Sequence, residues 1–293
     1  MRILHLDAGR EMRGGQWQAL RLIEGLAAAG VESTLLARPG SPLHDEARKR
    51  GWRVEPVGLM RAMMLARRHD LIHAHDGRGH TLGALVPGAP LVVSRRVAFA
   101  VGSRWKYARA QRYLAVSQFV KAVLMAGGVP EDWISVVYDG VPVLEVAAGS
   151  RVLAPALLDD PQKGTPVAME GARLAGVELL LTKDVESDLH HASAFVYITH
   201  SEGLGSAALL AMSAAVPVIA SRIGGLPEVV RDRETGLLVE NDPRAVAAAL
   251  SELAADPAFG RRLGRAARAA VLENFTVDHM VRRTMEAYRQ VLA

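Results

Sequence analysis

The sequence predicts an α/β protein of two lobes, each built on a mostly parallel sheet, and three observations carry that prediction. Short apolar, β-prone runs alternate with helical runs along both halves of the chain, the order expected when helices cover the faces of a parallel sheet. The alternation breaks once, between Val143 and Ser150, so it belongs to two lobes, residues 1–147 and 148–293. A length of 293 residues, half of them apolar, suits two sizeable cores.

The elements follow in order. Arg2 to Asp7 reads as the first strand. Gly14-Gly15-Gln16 ends a short loop, and Trp17 to Ala29 carries helical periodicity through Trp17, Leu20, Ile23, Leu26 and Ala27 until Gly30 stops it. Val31 to Ala37 is the second strand. Ser41-Pro42 supplies an N-cap and first helical residue, with Asp45 near the helix start. This opening lacks the G-x-G-x-x-G pattern, which argues against dinucleotide binding. Asp70 to Asp76 is a strand end that places His73 and His75 on one side. A metal there needs a third ligand, and only Asp76 is adjacent, so no metal is expected. Pro90 to Ser94 is a strand ending in Arg95-Arg96, whose guanidinium groups suit phosphate. Tyr113 to Ser117 is a further strand, with Ser117 capping a helix to Met125, and Ile134 to Tyr138 closes the first half.

In the second half, Val152 to Leu158 is a strand, Thr165 to Leu174 a helix, Val177 to Leu181 a strand and Asp184 to His191 a short helix. The chain then reaches its most informative stretch. Ala194 to Ile198 is a buried strand, Ser201-Glu202-Gly203-Leu204-Gly205-Ser206 a small-residue turn, and Ala207 to Met212 a buried helix. Such a turn admits a ligand close to the backbone, and a helix start offers N–H groups to an anion. Pro217 to Ser221 followed by Gly224-Gly225-Leu226-Pro227-Glu228 repeats the pattern. Two adjacent strand ends of this kind make a pocket for a phosphate-bearing ligand. Thr235 to Val239 closes the sheet, Asp242-Pro243 and Asp256-Pro257 start two helices, and a last helix runs from Val277 to Leu292.

Glu202-Gly203-Leu204-Gly205, Ala211 to Val218, Gly224 to Val230 and Thr235 to Val239 in series resemble the donor half of the retaining family 4 glycosyltransferases of GT-B fold. Lys163-Gly164 resembles their phosphate-binding Lys-Gly, and Gly14-Gly15 their first glycine loop. The resemblance implies two Rossmann-like lobes: an acceptor domain over 1–147, and a reduced nucleotide-sugar donor domain over 148–293 whose last helix returns to the first. It implies a metal-independent hexosyltransferase that moves a sugar from a nucleotide-diphosphate sugar to a glycan, lipid-linked or small-molecule acceptor with retention. No cofactor is implied beyond that donor. Lys163, Gly14-Gly15, the turn Gly203-Leu204-Gly205-Ser206, Gly224-Gly225 and an arginine of Arg95-Arg96 would hold phosphate. Glu202 would orient donor hydroxyls, and His75 would line the same cleft.

Three departures stand out. The passage Gly176 to Leu189 lacks one strand-helix-strand unit. Leu210 stands where relatives carry a ribose-binding glutamate, and Leu157-Leu158 where they carry an arginine. Nucleoside recognition is therefore expected to be weak, with UDP, GDP and ADP competing similarly. Two other functions stay open on the residues: a catalytically reduced relative that binds sugar-phosphate or a partner protein, and a sugar-nucleotide epimerase, for which His75 and Glu202 are the plausible acid-base groups.

The chain has no cysteine, which excludes disulfides, thiolate metal sites and cysteine nucleophiles. No apolar run reaches the length of a membrane span and the start does not read as a signal peptide, so a cytoplasmic protein is expected. Net charge is +4 but uneven. Residues 1–147 hold 20 Lys and Arg against 13 Asp and Glu, or +7, and the remainder 15 against 18, or −3. Arg104, Lys106, Arg109 and Arg112 interleave with Phe99, Trp105, Tyr107 and Tyr113. A basic first half with that stretch suits an acidic or lipid-linked acceptor and peripheral contact with the inner face of a membrane. Nucleic acid is not expected, because no nucleic-acid module is visible and aromatics are few.

Overall fold

The structure, a computed structural model, describes residues 1–158 and 160–293. Its contacts divide the chain into unit one, Met1–Gly140 with Val277–Ala293, and unit two, Val141–Thr276. The division lies between Gly140 and Val141, so residues 141–147 pack with the second half.

Unit one holds strands β1 (Arg2–Asp7), β2 (Glu32–Ala37), β3 (Val54–Pro56), β4 (Leu71–Ala74), β5 (Leu91–Arg95), β6 (Arg112–Ala115) and β7 (Ile134–Val136). Its helices are α1 (Gly14–Ala28), α2 (Pro42–Lys49), α3 (Leu59–Ala66), α4 (Gly77–Leu85), α5 (Arg104–Tyr107) and α6 (Gln118–Ala126), joined by the chain's last helix. The sheet order is β3-β2-β1-β4-β5-β6-β7 and every pair is parallel. The order reverses between β1 and β4, which directs ligands to the carboxyl ends of those two strands. β3, α3 and α4 were not foreseen: β3 is only three residues long, and α4 carries three glycines that weaken its helical signal.

Unit two holds β8 (Arg151–Pro155), α7 (Thr165–Ala175), β9 (Leu179–Thr182), α8 (Val185–Asp188), β10 (Ala192–Tyr197), α9 (Ser206–Ser213), β11 (Val218–Ser221), α10 (Leu226–Val229), β12 (Leu237–Val239), α11 (Pro243–Ala255) and α12 (Pro257–Asn274). The sheet is again all parallel, in the order β12-β11-β10-β8-β9, with its reversal between β8 and β10. The fold class is therefore the expected one, two parallel α/β units with a short second sheet. α13 (Val277–Leu292) packs Met280, Val281 and Tyr288 against Ile3, Leu71, Val92 and Leu114 of the first sheet.

The cores follow the sequence pattern with one exception. α1 buries Leu22 and Leu26 on one side and Leu20 and Ile23 on the other, so it is a two-sided helix. Trp17 stays 42% exposed although the periodicity placed it on the buried stripe, because α1 begins at Gly14 and Trp17 lies in its first turn. In unit two, Ala194, Val196 and Ile198 of the β10 run face Ala168 and Ala172 of α7 and Val246 and Leu250 of α11. The alternate residues Phe195, Tyr197 and Thr199 face the other way, as a period of two requires. Among the described residues no helix is long and apolar enough to cross a membrane.

Candidate functional site

In unit two the segments that leave β8 and β10 meet at the point where the strand order reverses. Lys163 follows β8 and forms an isolated bridge with Thr199, just past β10. Its Nζ donates to Glu202 Oε2 at 2.9 Å, and reaches Tyr197 Oη and Thr199 Oγ1 at 3.4 Å each. Glu202 Oε2 also accepts from Tyr197 Oη at 2.5 Å, and Oε1 accepts from the Gly203 amide at 3.1 Å. The ion pair is half-buried, with side chains 18% and 16% exposed. Burial, then the neighbouring Glu202 charge, push the Tyr197 phenol well above its usual range, so its hydroxyl stays protonated and donates.

The loop that carries Glu202 is fixed from behind. The Thr199 amide donates to Ser221 Oγ at 2.9 Å, Ser221 Oγ donates to Asn241 Oδ1 at 2.6 Å, and Asn241 Nδ2 donates to the Thr199 carbonyl at 2.8 Å. Past Glu202, Gly205 sits at φ +110° and starts α9, a helix with no side-chain cap. A helix start beside a cation is the kind of anion-binding feature the sequence suggested. Leu210 is only 8% exposed within α9, whose residues Ala208 to Ser213 are all buried.

The second glycine turn also has a packing reason that the sequence did not show. A Cβ at Gly224 would lie 2.1 Å from the Glu202 carbonyl oxygen, and one at Gly225 would lie 2.1 Å from that of Gly203. Gly224 also sits at φ +61°. These glycines let the two loops touch backbone to backbone, and the Gly225 amide donates to the Glu202 carbonyl at 3.3 Å. They thus set the height of the Glu202 loop. Gly224→Ala should cost about 3 kcal/mol through the clash and the left-handed backbone. Denaturant unfolding checks this, and an unchanged midpoint would contradict the packing role.

In unit one the polar side chains gather at the ends of β1, β4 and β5. His5 and His73 are register partners on β1 and β4, and His75 lies two residues on. Their rings are fully buried, with ligand atoms within 4.8 Å of one another, the one such group among the described residues. The third imidazole is His5, from another strand, and not the sequence neighbour Asp76. Asp76 instead caps α4 through Gly79 and accepts from the Ala8 amide. His5 Nδ1 and His75 Nε2 are 2.9 Å apart, and His5 Nε2 lies 3.2 Å from Ser33 Oγ. Both nitrogens of His73 are taken, Nδ1 by Tyr288 Oη at 2.6 Å and Nε2 by Ser94 Oγ at 2.8 Å. A cation would have to displace one of these hydroxyls. His75 Nδ1 has no partner. A buried bare lone pair is tolerated better than a buried orphan N–H, so His75 Nε2 carries the proton and donates to His5.

Burial dominates the titration of this cluster. It brings His5 down to about 3, with His69 adding to the effect, and takes His73 and His75 well below the usual range, with Arg96 a lesser contributor to both. Asp7, at the end of β1, is pushed up to about 6, by burial first and then by Asp76. Its carboxylate accepts from the Gly9 amide at 2.8 Å and from Gln16 Nε2 at 3.2 and 3.3 Å. Gly14 and Gly15 form the first turn of α1 rather than a free loop.

The two arginines separate. Arg96 pairs with Asp139 at 3.2 Å, and its Cδ lies 3.9 Å from a Cβ built at Gly15. Its Nη1 is buried without a partner. Arg95 turns instead to the Phe99 carbonyl and the Tyr107 ring. Of the expected site residues, Lys163, Glu202 and the turn to Ser206 come together in unit two, backed by Gly224-Gly225. Gly15, Arg96 and His75 gather in unit one, and Arg95 stands apart from them. Sequence reasoning missed His5, Tyr197, Thr199 and Asn241. Tyr197 carried a signal: period-two alternation sets it on the face opposite Val196 and Ile198.

Two family models match the chain, one described as Glycosyltransferase Family 4 over residues 12–143 and one as Glycosyl transferases group 1 over residues 147–256. The chain is 40% identical over 157 residues to the alpha-maltose-1-phosphate synthase of Mycolicibacterium smegmatis, across 48% of this chain and 41% of that protein. It is 43% identical over 98 residues to the D-inositol 3-phosphate glycosyltransferase of Streptomyces scabiei, across 33% of this chain and 22% of that protein. The chain thus spans well under half the length of these curated relatives. Its fold is similar to that of Anabaena HepE, solved in complex with UDP and glucose, with a TM-score of 0.87, 16% identity and 99% of each chain covered.

Proposed function

We infer the reaction from one premise: this chain belongs to the family 4, group 1 glycosyltransferases. On that premise it moves a sugar from a nucleoside diphosphate to an acceptor, with retention, the donor held by unit two and the acceptor by unit one. The observation that carries this reading is the Lys163–Glu202 pair at the strand-order reversal, beside the start of α9. A cation and helix N–H groups at that point suit the charge that develops on a departing diphosphate. Glu202 has carboxylate oxygen left to orient sugar hydroxyls. Within unit one, Arg96 beside Gly15 is a second cation of the kind that suits phosphate. The charge on the leaving group is met by the chain's own groups, so transfer should survive EDTA.

The acceptor reading rests on the basic, aromatic stretch of unit one. Phe99 and Trp105 are 53% and 52% exposed, and Arg104 and Arg109 are exposed beside them. An anionic or lipid-linked acceptor, with peripheral contact at an anionic membrane surface, fits that chemistry. Leu210 favours a second reading, binding without transfer, because an apolar side chain cannot accept a ribose hydroxyl.

Thermal shift and calorimetry with UDP, GDP, ADP and their sugars test both readings. The three diphosphates should bind within tenfold of one another and the bare nucleosides scarcely at all. Release of diphosphate from a nucleotide-sugar separates transfer from binding alone. Arg104→Ala with Arg109→Ala should weaken transfer to an anionic acceptor without changing diphosphate binding. If no diphosphate raises the melting temperature, the donor-site reading fails.

A further inference from the structure

We propose that Tyr197 is the positioning residue of this site: its hydroxyl keeps the Glu202 carboxylate in place when a diphosphate draws Lys163 away. The proposal rests on the reading of Lys163 as the phosphate cation. In the ligand-free protein Lys163 is already engaged, with one short contact to Glu202 Oε2 and two of 3.4 Å to the hydroxyls of Tyr197 and Thr199. Lys163 can therefore reach a phosphate only by exchanging partners. Once the ammonium turns to phosphate, Glu202 loses its cation while only 16% exposed. A carboxylate left so poorly solvated would take up a proton or swing away.

Tyr197 prevents both outcomes. Its hydroxyl donates to the same oxygen, Oε2, that Lys163 vacates. The ring is rigidly placed: it ends β10, is 5% exposed, and lies against Phe195 with centroids 6.2 Å apart and planes 17° from parallel. Burial, then the Glu202 charge, hold the phenol protonated at neutral pH, so it is a donor in the free and the bound state alike. In the free protein Glu202 has three donors, Lys163, Tyr197 and the Gly203 amide. In the complex two remain. Removing the hydroxyl therefore harms the complex more than the free protein, leaving the carboxylate on a single backbone donor.

Calorimetry of UDP binding in two buffers of different ionisation enthalpy reads both affinity and proton uptake. For Tyr197→Phe, which keeps the ring, the affinity at pH 7.5 should fall three- to tenfold, the scale of one hydrogen bond to a charged group. Proton uptake on binding at pH 5.5 should exceed that of the unaltered protein. The excess should vanish in the double variant Tyr197→Phe with Glu202→Gln, which has no carboxylate to protonate. 3-Fluorotyrosine at position 197 keeps the fold and strengthens the donor, so it should lower the uptake. An affinity loss without change in proton uptake would reduce Tyr197 to a packing role, and an unaltered affinity and uptake would remove it altogether. Lys163→Met separates the premise from the proposal. If that variant binds UDP as well as the unaltered protein, the donor-site reading falls and Tyr197 with it. If it loses UDP while Tyr197→Phe behaves as the unaltered protein, the Tyr197 proposal alone falls.

Discussion

Between pH 7.5 and pH 5 the protein should lose about 6–7 kcal/mol of stability, and unit one should melt first. His5, His73 and His75 are buried and neutral, with pKa values lowered far below those of the unfolded chain. A lowered value means that the unfolded state takes up protons which the folded state refuses. The stability is then fully present above about pH 6.5 and is lost as the pH falls toward the folded values. Each histidine contributes about 1.4 kcal/mol per pH unit in that window, so three give about 4 per pH unit and about 6 between pH 6.5 and 5. His80, brought down to about 4, acts in the same direction. Asp7 opposes them. Its value is raised to about 6, so its stability is present at low pH and lost as the pH rises through 6. It offsets roughly one histidine between pH 6 and 4. Urea unfolding across this range measures the slope. His75→Leu should remove about 2 kcal/mol of the acid-dependent loss at pH 5. A protein whose midpoint is the same at pH 5 and 7.5 would show that these rings are protonated or solvated in the fold.

If unit two holds the donor as proposed, replacing Lys163 by Met should reduce transfer by a hundredfold or more, the usual effect of removing one group aimed at developing charge. Stability should fall too, by about 1–3 kcal/mol, because Glu202 is left half-buried without its cation. The full penalty of a broken buried pair is larger, and the residual exposure of both side chains reduces it. The double variant Lys163→Met with Glu202→Gln separates the two roles. It removes the unpaired charge, so stability should return to within about 1 kcal/mol of the unaltered protein, while transfer stays lost. Single-turnover kinetics and urea unfolding read the two quantities. A Lys163→Met variant that transfers sugar normally would place the phosphate cation elsewhere.

The elements most legible in the sequence were those with a strong period or a cap. Ser41, Ser117, Asp242 and Asp256 accept hydrogen bonds from first-turn amides where caps were expected. The strand, turn and helix around Glu202 are also as read. The short pieces were not. β3 has three residues, too few for alternation to show, and α4 holds its place with three glycines. Gly224-Gly225 shows a subtler limit. The sequence marks the glycines, but a glycine serves a ligand and a second loop equally well. Only the tertiary structure, in which an added Cβ at either glycine would lie 2.1 Å from the Glu202 or Gly203 carbonyl oxygen, shows that the second loop is such a neighbour.

The candidate site divides in the same way. By itself the sequence determined that two parallel α/β halves exist, that Lys163 and Glu202 belong to strand-end turns, and that Leu210 cannot accept a hydroxyl. Each follows from residue type and local spacing, which act over a few residues. Tertiary structure alone decided that His5 completes the histidine cluster, 68 positions before its register partner. It alone decided that Tyr197 shares Glu202 Oε2 with Lys163, 39 positions away from Glu202. Parallel pairing makes this so. It sets side by side strands that are separated in sequence by whole helices, and strand order, not local spacing, chooses which polar ends are left to face one another.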